Sequence, residues 1–252
     1  PFDKTHCVYV WYDALTNYYT ATREKGKEKF WPADVHIIGK DILWFHAVIW
    51  PAMLLSAGIK LPKQIFAHGW WNIEEEKISK TTGNVINIPD LVSIAGVDSA
   101  RYFLLREIPF GNDGDFSREK LIERHNNELA DKLGNLISRV SALAEKYGVS
   151  KTENKLLKKF KAREIEKHIE NYEFDKALNE IFAFIDICNE YVQNKKPWET
   201  HDKKVLYELV DSIRKINFYL GIFMPETSEK IRKIFKADKI KKSDVLFQKI
   251  KN

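Results

Sequence analysis

Gln64-Ile65-Phe66-Ala67-His68-Gly69, followed through Trp70-Trp71-Asn72-Ile73 and Glu74-Glu75-Glu76 by Lys77-Ile78-Ser79-Lys80-Thr81, is the stretch on which the fold turns. Its first half is a short run of β-branched and aromatic residues closed by glycine, the pattern of a buried strand. Its second half sets two ammonium groups on a short hydroxyl-bearing loop bounded by Gly83. Lysines are compact cations, and a bendable backbone between them can grip a multiply charged anion such as polyphosphate. Lys-x-Ser-Lys alone is weak, because solvated loops carry it by chance.

Working outward, Val35-His36-Ile37-Ile38 reads as a second buried strand ended by Gly39-Lys40-Asp41, and Cys7-Val8-Tyr9-Val10-Trp11 as another. Between them, Asp13-Ala14 and Tyr18-Tyr19 begin a helix, and Ile42 to Leu55 reads as a helix kinked at Pro51. Strands alternating with helices imply a parallel α/β sheet whose ligand sites gather at the carboxyl ends of the strands. Trp11, Asp13, Gly39, Asp41, His68 and Gly69 all fall at such ends.

From Arg118 the pattern changes. Leu121, Ile122, His125, Leu129, Leu133, Leu136, Ile137, Val140 and Leu143 form one helical stripe ended by Gly148. Further helices are expected over 155–171, 174–193, 202–223 and 225–235, making a helical bundle. The Lys239-Ile240-Lys241-Lys242 tail is expected to be solvated. Between 84 and 117, Asp98 to Leu105 forms a short amphipathic helix and Gly111-Asn112-Asp113-Gly114-Asp115 a turn-rich junction.

A hydrophobic fraction of 44% can build a core, and a net charge of +5 permits a polyanionic partner without requiring one. No apolar run is long enough to cross a bilayer, so no membrane partner is expected. Cys7 and Cys188 stand far apart without ligand-spaced neighbours, which supports neither a zinc knuckle nor a disulfide framework and suits a reducing cytoplasm. The opening Pro1-Phe2-Asp3-Lys4 reads as the interior of a longer polypeptide.

Val8 to Ala14, then His36-Ile37-Ile38-Gly39-Lys40-Asp41-Ile42 with Phe45-His46 and Trp50-Pro51-Ala52, then Phe66 to Gly69 and the lysine loop stand in a specific order. That order and spacing resembles the methionyl-tRNA synthetase family of class I. The loop is similar to the family's Lys-Met-Ser-Lys-Ser signature, with Ile78 and Thr81 as departures. The resemblance implies the C-terminal half of a Rossmann-like catalytic domain over 1–83, a stem-contact connection over 84–117, and a helical anticodon-binding domain over 118–252.

It also implies roles. Trp11, Ala14, Tyr18, Phe45 and His46 would line the methionine pocket, where polarizable aromatic walls suit a thioether and Tyr18 or His46 can donate to sulfur. Leu15 and Ile49 replace residues often found there. Gly39, Asp41, His68, Gly69, Lys77, Ser79 and Lys80 would bind ATP, supplied with Mg2+, and Lys77 and Lys80 would stabilise the leaving pyrophosphate. Asn135, Arg139 and Trp198 would read the anticodon of tRNA(Met), since amide, guanidinium and indole suit exposed base edges and faces.

The family's His-Ile-Gly-His signature is not present, and His36-Ile37-Ile38-Gly39 has Lys40 where the final histidine belongs. No zinc site is expected in this portion. The chain is therefore expected to be inactive alone and to need a complementary N-terminal half, in the same polypeptide or as a separate chain. Two other readings fit the residues: a non-catalytic tRNA-binding module, and a class I synthetase for another amino acid.

Overall fold

The computed structural model describes residues 3–73, 76–77, 87–236 and 240–251, without the side chains of residues 73, 76 and 77. Two compact units emerge, residues 1–71 with 111–114, and residues 72–110 with 115–252.

In the first unit, α1 (Val10–Ala14) and α2 (Asn17–Thr20) lead to β1 (His36–Gly39), a 3-10 turn at Lys40–Ile42, a π-helical turn at Phe45–Ile49, α3 (Trp50–Ser56) and β2 (Ile65–His68). The expected parallel pairing is present, with His36 opposite Ile65 and Gly39 opposite His68. His36 and Ile38 turn inward while Ile37 faces out, so β1 is buried on one face. The core is Leu15, Trp50 and Leu54, ringed by Trp11, Tyr18, Tyr19, Trp31 and Phe45.

Two expectations change here. Cys7–Trp11 is not a buried strand: helix α1 begins at Val10, and Val8, Tyr9 and Val10 are 76%, 62% and 66% exposed. A strand needs a neighbour for its amides, and among the described residues β1 pairs only with β2. The second concerns Pro51: the helical run from Lys40 to Ser56 is unbroken, and the irregularity is taken up as the π turn at Phe45–Ile49 directly before α3.

Next come β3 (Trp71–Ile73), β4 (Glu76–Lys77), α4 (Ile88–Ala95), α5 (Val97–Arg106) and β5 (Gly114–Phe116), with strand order β4-β3-β5. Helix α4 lies in what the sequence presented as connection. Asn87 caps it by accepting the Asp90 N–H at 2.9 Å.

The second unit is dominated by helices. α6 (Arg118–Arg124) passes through a π-helical stretch at His125–Gly134 into α7 (Asn135–Tyr147), which Gly148 ends with φ +78°. A 3-10 turn at Leu156–Lys159 precedes α8 (Ala162–Glu170), α9 (Phe174–Lys195), α10 (Pro197–Thr200), α11 (Lys203–Phe223) and α12 (Pro225–Lys236). Their apolar stripes merge in one core that includes Leu136, Val140, Ile181, Ile185, Leu209 and Leu220. Burying one such side chain contributes about 1.5–3 kcal/mol.

The tail is not solvated throughout. Ile240 and Ser243 are buried, and the Ser243 N–H donates to Ser141 Oγ at 3.0 Å. Asn126 exchanges two hydrogen bonds with the Ile250 backbone at 2.9 Å each. Backbone pairing with a helix gave no periodic signal in the tail's sequence. Lys241 and Lys242 are exposed as expected, and Lys239 lies outside the described residues.

Candidate functional site

Helices α1 and α2 and the π turn before α3 bring most of the aromatic residues singled out above into one nest. Trp11 stacks on Phe45 with centroids 4.6 Å apart and planes 10° apart, and meets His46 edge-on at 5.9 Å. Tyr18 lies 5.6 Å from His46 and 4.5 Å from His36. Ala14 is half-buried at the end of α1. Leu15 is fully buried at the centre of the core, and Ile49 packs against that core.

Hydrogen bonds fix the chemistry of the nest. His46 is fully buried, and its Nδ1 lies 2.9 Å from the Ile42 carbonyl oxygen, which can only accept. Nδ1 therefore carries the proton, and Nε2 accepts from the Tyr18 hydroxyl at 3.0 Å. Both donors are spent within the protein in this conformation, so a bond to sulfur would require Tyr18 to turn from His46. His36 was not singled out for the pocket, yet it closes this side. Its Nε2 accepts the Trp50 indole N–H at 3.3 Å, and burial, followed by the neighbouring His46, pushes its pKa down.

At the ends of β1 and β2, Gly39, Asp41, His68 and Gly69 occupy a second group. Gly69 is obligatory: a β-carbon there would lie 2.2 Å from the Asn112 carbonyl oxygen. The closeness lets the Trp70 N–H donate to Asp113 Oδ1 at 2.8 Å and the Gly114 N–H to the Trp70 carbonyl at 2.9 Å. Lys40 pairs with Asp113 and lies 4.4 Å above the Trp70 ring. The Lys40 ammonium, with the Trp70 N–H, holds the Asp113 carboxyl below its usual range. Asp41 Oδ1 accepts from the Trp70 indole at 3.4 Å, and His68 Nδ1 lies 2.9 Å from the Gly69 carbonyl. The sequence marked Gly111–Asp115 only as a turn, and nothing local shows that it meets residues 40 and 70.

Ser79 and Lys80 lie outside the described residues. Lys77 is placed by its backbone on β4, opposite Asn72. Among the described residues no three His, Cys, Asp or Glu side chains gather to hold a metal ion.

In the bundle, Asn135 and Arg139 are exposed on the first turns of α7, with Asn135 Nδ2 donating to the Asp131 carbonyl at 2.9 Å. Trp198 is half-buried on α10, packed against the bundle core. Lys196 and His201, with φ of 45° and 52°, bracket that short helix, and His201 stacks on Tyr147 at 4.2 Å. Lys132 bonds to Asp186 at 2.7 Å and its carbonyl accepts from Asn189 at 3.3 Å, while the other end of α7 meets the residue after α10. Arg139 lies along this helical run between the Lys132 contact and the Tyr147–His201 contact.

The chain matches the family "tRNA synthetases class I (M)" over residues 1–141 and "Anticodon-binding domain of tRNA ligase" over residues 154–250. It is 42% identical to a methionine--tRNA ligase of Caldanaerobacter subterraneus subsp. tengcongensis, over 92% of this chain and 40% of that protein. It is 40% identical to one of Rickettsia conorii, over 92% and 50%. Among solved structures it is similar to Mycobacterium tuberculosis methionyl-tRNA synthetase in complex with methionyl-adenylate, with TM-score 0.85 and 36% identity over 93% of this chain and 51% of that one. The apo form of the Mycobacterium tuberculosis enzyme gives TM-score 0.87 and 30% identity, over 100% and 58%. The chain thus spans about half the length of the relatives it matches.

Proposed function

The chain belongs to the methionyl-tRNA synthetase family of class I, and from that membership we propose that it is the portion which contacts methionine, ATP and tRNA(Met) in an ATP-dependent methionine--tRNA ligase. The observation that carries this is the nest of Trp11, Tyr18, Phe45 and His46. Its polarizable faces favour a thioether over a branched alkane or a charged side chain.

In the proposed reaction the methionine carboxylate attacks the α-phosphate of ATP, which arrives with Mg2+, and pyrophosphate leaves. The aminoacyl group then passes to the terminal ribose of tRNA(Met). Positioning and charge stabilisation dominate the first step, because no side chain must make or break a covalent bond. Lys77 and Lys80 hold the departing pyrophosphate, and Gly39, Asp41, His68, Gly69 and Ser79 contact the nucleotide. Asn135, Arg139 and Trp198 read the anticodon. Residues 1–83, 84–117 and 118–252 serve as catalytic half, stem contact and anticodon domain, working in the cytoplasm. Catalysis needs the N-terminal half of the synthetase, since phosphate donors must converge from both halves of a nucleotide site. The exposed Val8, Tyr9, Val10, Ile37 and Trp44 give that half apolar surface to cover.

Lys80→Ala in the complete synthetase tests the assignment. Pre-steady-state adenylate formation should slow on the order of 100-fold or more, as when a transition-state donor is removed. The methionine dissociation constant should stay within about threefold. Equal losses in both would contradict a leaving-group role.

A further inference from the structure

We propose that a cleft beside α10, walled by the last turn of α9, the first turn of α11 and the Leu156–Lys159 turn, binds RNA backbone phosphates next to the anticodon. This rests on the tRNA-reading function proposed above. The cleft has a volume of about 440 Å3, and its rim carries Lys155, Lys159, Lys195 and Lys204. All four are exposed, and among the described residues none forms an ion pair.

The carboxylates nearby already have internal partners. Glu208 accepts the Lys155 backbone N–H at 3.0 Å and the Tyr191 hydroxyl. Asp202 caps α11 by accepting the Lys204 and Val205 N–H groups at 2.8 and 3.2 Å. Glu153 pairs with Lys158 at 3.2 Å. Four lysines thus line one concavity in which Asp202 and Glu208 are bonded to the walls and Glu153 is paired with Lys158, and such a site favours a polyanion. Tyr191, 5.7 Å below the Lys195 ammonium, adds an aromatic face.

Position selects RNA over other polyanions. Helix α10, which carries Trp198, joins Lys195 to Lys204 in the chain, so an RNA base held at the indole would bring neighbouring phosphates within reach of this rim. Backbone contacts of this kind position the RNA and carry no base identity. The lysines should therefore add affinity, and Trp198 discrimination.

The test measures binding of transcribed tRNA(Met) to the complete synthetase by fluorescence anisotropy across a salt series, with an anticodon-altered tRNA beside it. Lys159→Gln with Lys204→Gln should flatten the slope of log affinity against log salt by about 1.4–1.8, the loss expected for two phosphate contacts. Affinity for both RNAs should fall by the same factor. Trp198→Ala should leave the slope unchanged and narrow the difference between the two RNAs. Lys230→Gln on α12 should change neither. An unchanged slope in the double variant, with wild-type binding intact, overturns the phosphate groove alone. Equal flattening by Lys230→Gln overturns it too, since the effect would then be general charge. A wild-type enzyme that does not separate the two RNAs overturns the anticodon reading instead.

Discussion

His36 and His46 share one aromatic nest, with ring centroids 6.4 Å apart, yet their nitrogens do opposite work. His46 gives a proton to a main-chain carbonyl and takes one from Tyr18; His36 must keep Nε2 bare to accept from Trp50. The His36 pKa lies below the ordinary value of 6.5, chiefly through burial. The sign follows. Above about pH 6.5 the ring is neutral folded and unfolded, and its contribution is fully present. As pH falls, the unfolded chain takes the proton first, so stability drains away until the folded pKa is passed. Urea midpoints followed by tryptophan emission should thus fall between about pH 7.5 and 5.5, and less steeply in His36→Gln, which retains an acceptor. Identical slopes in the two proteins would remove His36 from the balance.

At the scale of elements, the junction of β2 with the 111–114 loop has the least room for change. Gly69→Ala would drive a methyl group into the Asn112 carbonyl, separating Trp70 from Asp113 and disturbing the Lys40–Asp113 pair. Overpacking of this kind costs about 1–3 kcal/mol, so the tryptophan-monitored unfolding midpoint should drop accordingly. A change within about 0.5 kcal/mol would mean that the loop yields freely. This junction also shows where sequence reading stops. β1, β2, α5 and the long bundle helices were legible because a period of 2 or 3.6 states which face is buried. The Lys40–Asp113 contact joins residues far apart in the chain, and no local pattern announces it. Cys7–Trp11 failed for a related reason: an apolar run says that a surface seeks cover without saying whether a strand lies beside it.

For the whole molecule, the candidate site was legible through motif order more than through any single residue. The sequence placed Trp11, Tyr18, Phe45 and His46 together, and they meet, but it missed His36 and Trp50, which set the ring states behind them. It marked Asn135, Arg139 and Trp198 because their types suit unpaired bases. It overlooked the four lysines of the cleft between α9 and α11 because isolated surface lysines look alike until the fold gathers them. No helix among the described residues is long and apolar enough to cross a membrane.

Methionine activation by this nest is the centre of the account, and amino-acid-dependent ATP–pyrophosphate exchange by the complete synthetase tests it most directly. Methionine should support exchange, and leucine, isoleucine, valine and cysteine should not approach it at equal concentration. Exchange driven best by one of those four, with methionine inert, would contradict the account.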